Sequence, residues 1–180
     1  MSLDEKISEI LKDHPGGEDF FNHLDEELRT SPHWLVKAYQ FLQNYMQNHY
    51  EMRDWGGKHS SYCTTARYFG DMYMPVGLVL TGSFGMAAMN CLHQLNEYFE
   101  DIIIVNGGIR KGAKVNIKAT GTLAEEFILF DDSIYSGTTR DKIEEALQEL
   151  NPDARIVHSI VIYDGSKDHK NISSLYQYYK

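Results

Sequence analysis

From residue 75 onward, short apolar runs alternate with segments of helical period. Residues 76–80, 102–105, 127–130 and 156–163 are almost continuously apolar, the pattern of strands buried on both faces. Between these runs, Ala88, Cys91, Leu92 and Leu95, and later Ile143, Ala146, Leu147 and Leu150, recur at the spacing that gives a helix one apolar face. Strand alternating with helix predicts an α/β fold, a parallel sheet flanked by helices. Ligands in such sheets bind beyond the carboxyl ends of the strands, so attention falls on the chain that follows Leu80, Val105 and Phe130.

Residues 1–74 read differently. Ile7, Ile10 and Leu11 predict a short amphipathic helix stopped by His14-Pro15-Gly16-Gly17, and Phe20, Phe21, Leu24 and Leu28 restart the period. Ser31-Pro32 is a favoured helix start, with Ser as N-cap and Pro in the first helical position. Ala38, Phe41, Leu42, Tyr45, Met46 and His49 then line a face that ends before Gly56-Gly57. Residues 55–74 lack a clear period and read as loop and irregular strand, while the tyrosine-rich tail of Tyr176, Tyr178 and Tyr179 is expected to pack on the core. The expected organisation is a helical N-terminal region over 1–74 and an α/β core over 75–180, together one compact domain, a size that 180 residues suit.

Charge narrows the partners. With 17 Lys and Arg against 26 Asp and Glu, the net charge of −9 disfavours nucleic acid and anionic membranes, so any anion site must be local. No apolar run approaches the ~20 residues of a spanning helix, and the opening residues lack the pattern of a signal peptide, so the expected compartment is the cytoplasm. Cys63 and Cys91 suggest reduced thiols rather than a disulfide framework, and the eight histidines show no zinc-ligand spacing.

The chemistry concentrates after Phe130. A buried strand runs into Asp131-Asp132-Ser133-Ile134-Tyr135-Ser136-Gly137-Thr138-Thr139 and on into a helix. Carboxylates at a strand end can accept hydrogen bonds from vicinal ribose hydroxyls, and Ser136 to Thr139 offer amides and hydroxyls at a helix N-terminus, where the dipole favours a phosphate. Taken singly, two acids ending a strand and a polar helix cap would be unremarkable. A phosphatase of the haloacid dehalogenase kind would place a second Asp two residues after the first, where this chain has Ser133.

As a whole the segment resembles the signature of type I phosphoribosyltransferases, which bind 5-phosphoribosyl-1-pyrophosphate (PRPP). Four apolar residues precede two acids, two variable positions and a Ser/Thr-Gly turn. The resemblance implies that Asp131 and Asp132 hold the ribose hydroxyls and that Ser136, Gly137, Thr138 and Thr139 hold the 5′-phosphate. Ser133, Tyr135 and Thr138 depart from the residues the family favours there.

Two further loops agree with this resemblance, which spans roughly residues 76–163. Thr81-Gly82-Ser83-Phe84-Gly85 follows the first buried strand, and the equivalent loop in the family holds pyrophosphate. Asn106-Gly107-Gly108-Ile109-Arg110-Lys111-Gly112-Ala113-Lys114 is a glycine-rich positive island without an acid between Asp101 and Glu125, and reads as a lid whose cations suit a leaving pyrophosphate. A solvated basic hairpin is the plainer alternative. Arg110, Lys111 and Lys114 resemble the flexible loop of orotate, adenine and xanthine phosphoribosyltransferases. The resemblance implies an Mg²⁺-dependent transfer of the phosphoribosyl group to a nucleobase, orotate or a purine, with the acids and the three cations acting in catalysis. It also implies a hood, placed here in residues 1–74, and a homodimer. A PRPP-binding regulator of the same fold, and a protein-interaction module built on the aromatic N-terminal helices and the tail, are the alternatives.

Overall fold

Pro32, with its φ fixed for helix and no N–H to satisfy, opens the first helix, α1 (Pro32–His49). The structure, a computed structural model of the chain, describes residues 5, 32–54, 63–69, 72–81, 85, 87, 88, 99, 101–105 and 124–177. After α1 come strands β1 (Glu51–Asp54), β2 (Cys63–Phe69), β3 (Met72–Thr81), β4 (Asp101–Val105) and β5 (Glu126–Ile134). Helix α2 (Thr138–Leu150) and strands β6 (Arg155–Asp164) and β7 (Ile172–Gln177) complete the order. Among these residues no helix is long and apolar enough to cross a membrane.

The four expected buried strands are all present, as β3 to β6. They form, with β7, a parallel sheet of order β4-β3-β5-β6-β7. The expected fold class, a parallel sheet flanked by helices, is the one observed. Two strands precede it. β1 and β2 form an antiparallel hairpin that pairs with the first half of β3, from Ala66↔Pro75 to Phe69↔Met72, where loop and irregular strand are expected from the sequence. β3 thus serves two partners along one edge, with β2 on its first half and β4 from Gly77 onward.

Each face of the sheet is covered. On one face, Trp34, Leu35, Ala38, Leu42 and Met46 of α1 bury against Leu78, Leu80, Ile128, Phe130, Ile160 and Ile162. On the other, Ile143 and Leu147 of α2 bury against Val79, Ile103, Val105, Phe127, Leu129 and Ile156. Alternate residues of β3 and β5 therefore feed opposite cores, as a pleated strand requires. Leu150, expected on the buried face of α2, is half exposed because the helix ends there and Asn151 turns the chain toward β6.

Polar groups anchor α2 where β5 and β6 slip register between Phe127 and Ile128. The Ile156 N–H donates to Glu144 Oε2 at 2.8 Å, and Arg140 Nη2 donates to the Ile156 carbonyl at 2.8 Å. Both backbone groups of Ile156 are satisfied by helix side chains. At the amino edge of the sheet, Glu126 is nearly buried and accepts from Tyr50 Oη at 3.0 Å and Arg155 Nη2 at 2.7 Å. The Tyr50 hydroxyl is held well above its ordinary pKa, first by burial and then by the Glu126 charge.

Candidate functional site

The site follows from the way the chain winds. Gly85, Ala87 and Ala88 after β3 are helical, with Ala88 packed in the α1-side core, and β4 pairs with β3 on one side. The residues after β5 form α2 on the opposite face before the chain returns as β6 on the other side. Connections that leave neighbouring strands in opposite directions and over opposite faces open a crevice between them at the carboxyl edge, the topological switch point where α/β proteins bind ligands. This topology puts the switch point between β3 and β5, at the carboxyl ends that carry the residues 81–85 and 131–139 singled out in the sequence.

Ladder register shows where it opens. Pairing of β3 with β5 stops at Leu80↔Phe130, whereas pairing of β5 with β6 continues to Ile134↔Asp164. Asp131 and Asp132 therefore lie inside β5 rather than past its end, on a stretch bonded to β6 along one edge and released from β3 along the other. Strand alternation continues the Phe127, Leu129 row to Asp131 and the Ile128, Phe130 row to Asp132. The two acids thus flank the strand, both partly exposed.

Their electrostatics differ. Asp131 Oδ1 accepts the Asp132 N–H at 2.7 Å, and the Ser133 hydroxyl donates to Asp132 Oδ1 at 3.0 Å. Loss of solvation, and then the adjacent Asp132 charge, push the Asp131 carboxyl well above the usual carboxylate range despite the backbone hydrogen bond. A carboxylate so placed is costly until a donor or a cation arrives, which marks it as a ligand-binding candidate.

Beyond Ile134 the chain turns into α2. Gly137 is the N-cap of α2 and adopts φ 81°, ψ 5°, the left-handed region that glycine enters freely. A Cβ built there would meet nothing within 4 Å, so open space lies beside the turn. No side chain caps the helix from that position. The Ser136 and Thr138 hydroxyls pair at 2.9 Å, and the Thr138 N–H makes only a long 3.4 Å contact to Ser136 Oγ. A helix start with uncommitted amides, flanked by exposed hydroxyls, matches the donor set a monoester phosphate needs.

Tyr135, the bulkiest departure from the family pattern, does not crowd this turn. Its ring lies against Gly165 and tilts at 57° against Tyr163, with centroids 5.9 Å apart. Of the other expected residues, Thr81 is nearly buried at the end of β3, where it pairs with Val105. Gly85 is buried too, and a Cβ there would lie 2.9 Å from the Leu80 carbonyl carbon, so its small size serves the return of the chain onto β3. Gly82, Ser83, Phe84, Arg110, Lys111 and Lys114 lie outside the described residues.

One cluster at the same edge escaped the sequence reading. Asp164, wholly buried at the end of β6, accepts from the Ser166 N–H at 2.9 Å, from the Ser166 hydroxyl and from His169 Nδ1 at 2.6 Å. The legible signal was Asp-Gly-Ser directly after an apolar strand, the make-up of an Asx turn.

Among the described residues, no group of three or more His, Cys, Asp or Glu converges as a metal cage. Two neighbouring carboxylates, one of them desolvated, nonetheless fit a magnesium ion that draws its remaining oxygens from a bound phosphate compound.

No family model matches the chain, and neither does any curated protein. Solved structures do. A hypoxanthine phosphoribosyltransferase from Staphylococcus aureus is 12% identical over 80% of this chain and 72% of its own, with a TM-score of 0.47. Purine phosphoribosyltransferase from Pyrococcus horikoshii is 12% identical, with 82% of both chains covered and a TM-score of 0.44. The xanthine-guanine-hypoxanthine phosphoribosyltransferase of Helicobacter pylori is 15% identical over 80% of each chain, with a TM-score of 0.43. These proteins bear the family name that the acidic turn resembles, and the functional reading is carried by that turn.

Proposed function

We propose that this chain binds PRPP and transfers its phosphoribosyl group to a nucleobase, orotate or a purine, with release of pyrophosphate. The observation that supports it is the uncapped, left-handed Gly137 turn directly following the Asp131-Asp132 pair at the β3/β5 switch point.

In this reading Asp131 and Asp132 accept hydrogen bonds from the ribose hydroxyls, and Ser136, Gly137, Thr138 and Thr139 receive the 5′-phosphate. Thr81, Gly82, Ser83, Phe84 and Gly85 take the pyrophosphate. Arg110, Lys111 and Lys114 close over the site and offset the charge of the leaving group. Attack by a base nitrogen on the anomeric carbon passes through a state of oxocarbenium character, for which positioning and charge stabilisation matter more than proton transfer. Asp131 and Asp132 would hold Mg²⁺, which when bound supplies positive charge between substrate oxygens. Residues 1–74 would supply the hood over the acceptor, and the excluded water would spare PRPP from hydrolysis.

The test is incubation with PRPP, Mg²⁺ and a panel of purine and pyrimidine bases while pyrophosphate is measured. Release dependent on one base, abolished in the Asp131→Asn, Asp132→Asn double variant, is the expected result. Tight PRPP binding without release by any base would favour the regulator instead. Absence of PRPP binding would overturn both.

A further inference from the structure

Two segments meet behind the phosphate turn, and Tyr135 is the piece between them. β5 ends at Ile134, whose carbonyl accepts the Gly165 N–H at 2.8 Å, so the β6–β7 connection is stitched to the last residue of β5. The next side chain, Tyr135, fills the notch that Gly165 leaves. A Cβ at Gly165 would fall 2.5 Å from Tyr135 Cδ1, 2.9 Å from Cε1 and 3.3 Å from Tyr163 Cε1, so the ring occupies the space a side chain at 165 would need.

The seat of that ring is stiff. Asp164, beside Gly165, is wholly buried and holds three donors from Ser166 and His169, and the Ser166 hydroxyl also reaches the Asp168 carbonyl at 2.8 Å. The turn on the other side of Tyr135 is not stiff by its own composition, because Gly137 gains no local preference for one backbone state. Its side chains add only the hydroxyl pair of Ser136 and Thr138 and one long amide contact, while the Gly137 carbonyl accepts the Asp141 N–H of the first helical turn at 2.9 Å. That bond ties the helix side of the turn, which leaves its strand side, at Tyr135, to be set by the neighbour that Tyr135 packs on.

We infer that Tyr135 is a positioning residue, which keys its ring into the Gly165 notch and so fixes the backbone of residues 136–139 in its anion-receptive form. This rests on reading that turn as the phosphate site. It also accounts for a bulky aromatic inside an otherwise small and polar loop.

The test uses Gly165→Ala, Tyr135→Ala, their double variant and Tyr135→Phe. Gly165 does not share the positive φ of Gly137, so alanine there acts through the ring it displaces. Melting temperature, amide hydrogen exchange of residues 136–139, and KM for PRPP against kcat are measured for each. Expected is a tenfold or greater rise in KM for Gly165→Ala and for Tyr135→Ala with kcat changed less than threefold. The double variant is no worse than the weaker single one, Tyr135→Phe stays within twofold of wild type, and exchange at 136–139 quickens in both single variants. A merely structural role would lower the melting temperature with KM and exchange unmoved, and that result, or multiplicative KM effects in the double variant, overturns the inference. Should the wild type not bind PRPP, the proposed function fails alone, and the exchange data still decide the role of Tyr135.

Discussion

Tyr45 of α1 stacks on His158 of β6, with ring centroids 4.0 Å apart and planes 13° from parallel. On its other face Tyr45 stacks with His49 at 4.1 Å, so one tyrosine joins two histidines and pins the helix to the sheet. His158 also meets Ser173 of β7, Nε2 to Oγ, at 2.8 Å.

Burial, reinforced by the nearby His49, lowers the His158 pKa to about 4 from the ordinary 6.5. The unfolded chain therefore binds a proton that the folded chain refuses between those values, and stability falls as pH drops from about 6.5 to about 4. With one unit worth about 1.4 kcal/mol, the loss is on the order of 3 kcal/mol at most. Urea denaturation at pH 7.5 and pH 4.5 should show it, and His158→Gln should flatten the difference.

Asp131 runs the other way. A carboxyl raised by burial and by Asp132 takes up a proton more readily folded than unfolded, so its ionisation costs stability as pH rises above the carboxylate range. Asp131→Asn keeps an oxygen for the Asp132 N–H and removes the charge. It is expected to raise the melting temperature at pH 8 while losing PRPP affinity; relief of even about 1 kcal/mol moves a domain of this size by roughly 2–4 °C. A melting temperature below that of the wild type would contradict this.

At the opposite end of the sheet, Tyr50→Phe removes the hydroxyl that donates to nearly buried Glu126. Hydrogen bonds to a charged group contribute about 1.5–3 kcal/mol, and a loss of that size is expected in chemical denaturation. PRPP affinity should not change, because the amino edge lies a strand's length from the turn.

Gly137→Ala meets no neighbour, yet it must hold a left-handed backbone. A cost of about 1–2 kcal/mol is expected from that conformation alone, with PRPP binding weakened by relaxation of the turn. Calorimetry and ligand-induced thermal shift measure the two effects separately.

How much of this was legible depended on burial. β3 to β6 carry near-continuous apolar runs because both faces are covered, and Ser31-Pro32 announced α1 through backbone chemistry alone. β7 gave no such sign: Ile172–Gln177 includes two serines, sits half-buried at the sheet edge, and follows β6 after only residues 165–171, where parallel neighbours ordinarily need a dozen or more. The site motif was readable as a string, but its placement was not. That Asp131 and Asp132 belong to β5 follows from β6 running on to Asp164, a long-range pairing that no local pattern encodes. The Tyr135 and Gly165 contact is likewise a property of two distant segments.

The divided edge of β3 bears on how the molecule comes apart. Residues 72–75 pair with β2 and lie before the first β5 pairing at Val76, so the β1–β2 hairpin, which also packs on α1 through β1, shares no parallel ladder. Its amides are expected to exchange with solvent in a sub-global opening that leaves the parallel ladders and both cores standing. Hydrogen exchange that is faster at 63–69 than at 126–130 is the expected sign of such an opening.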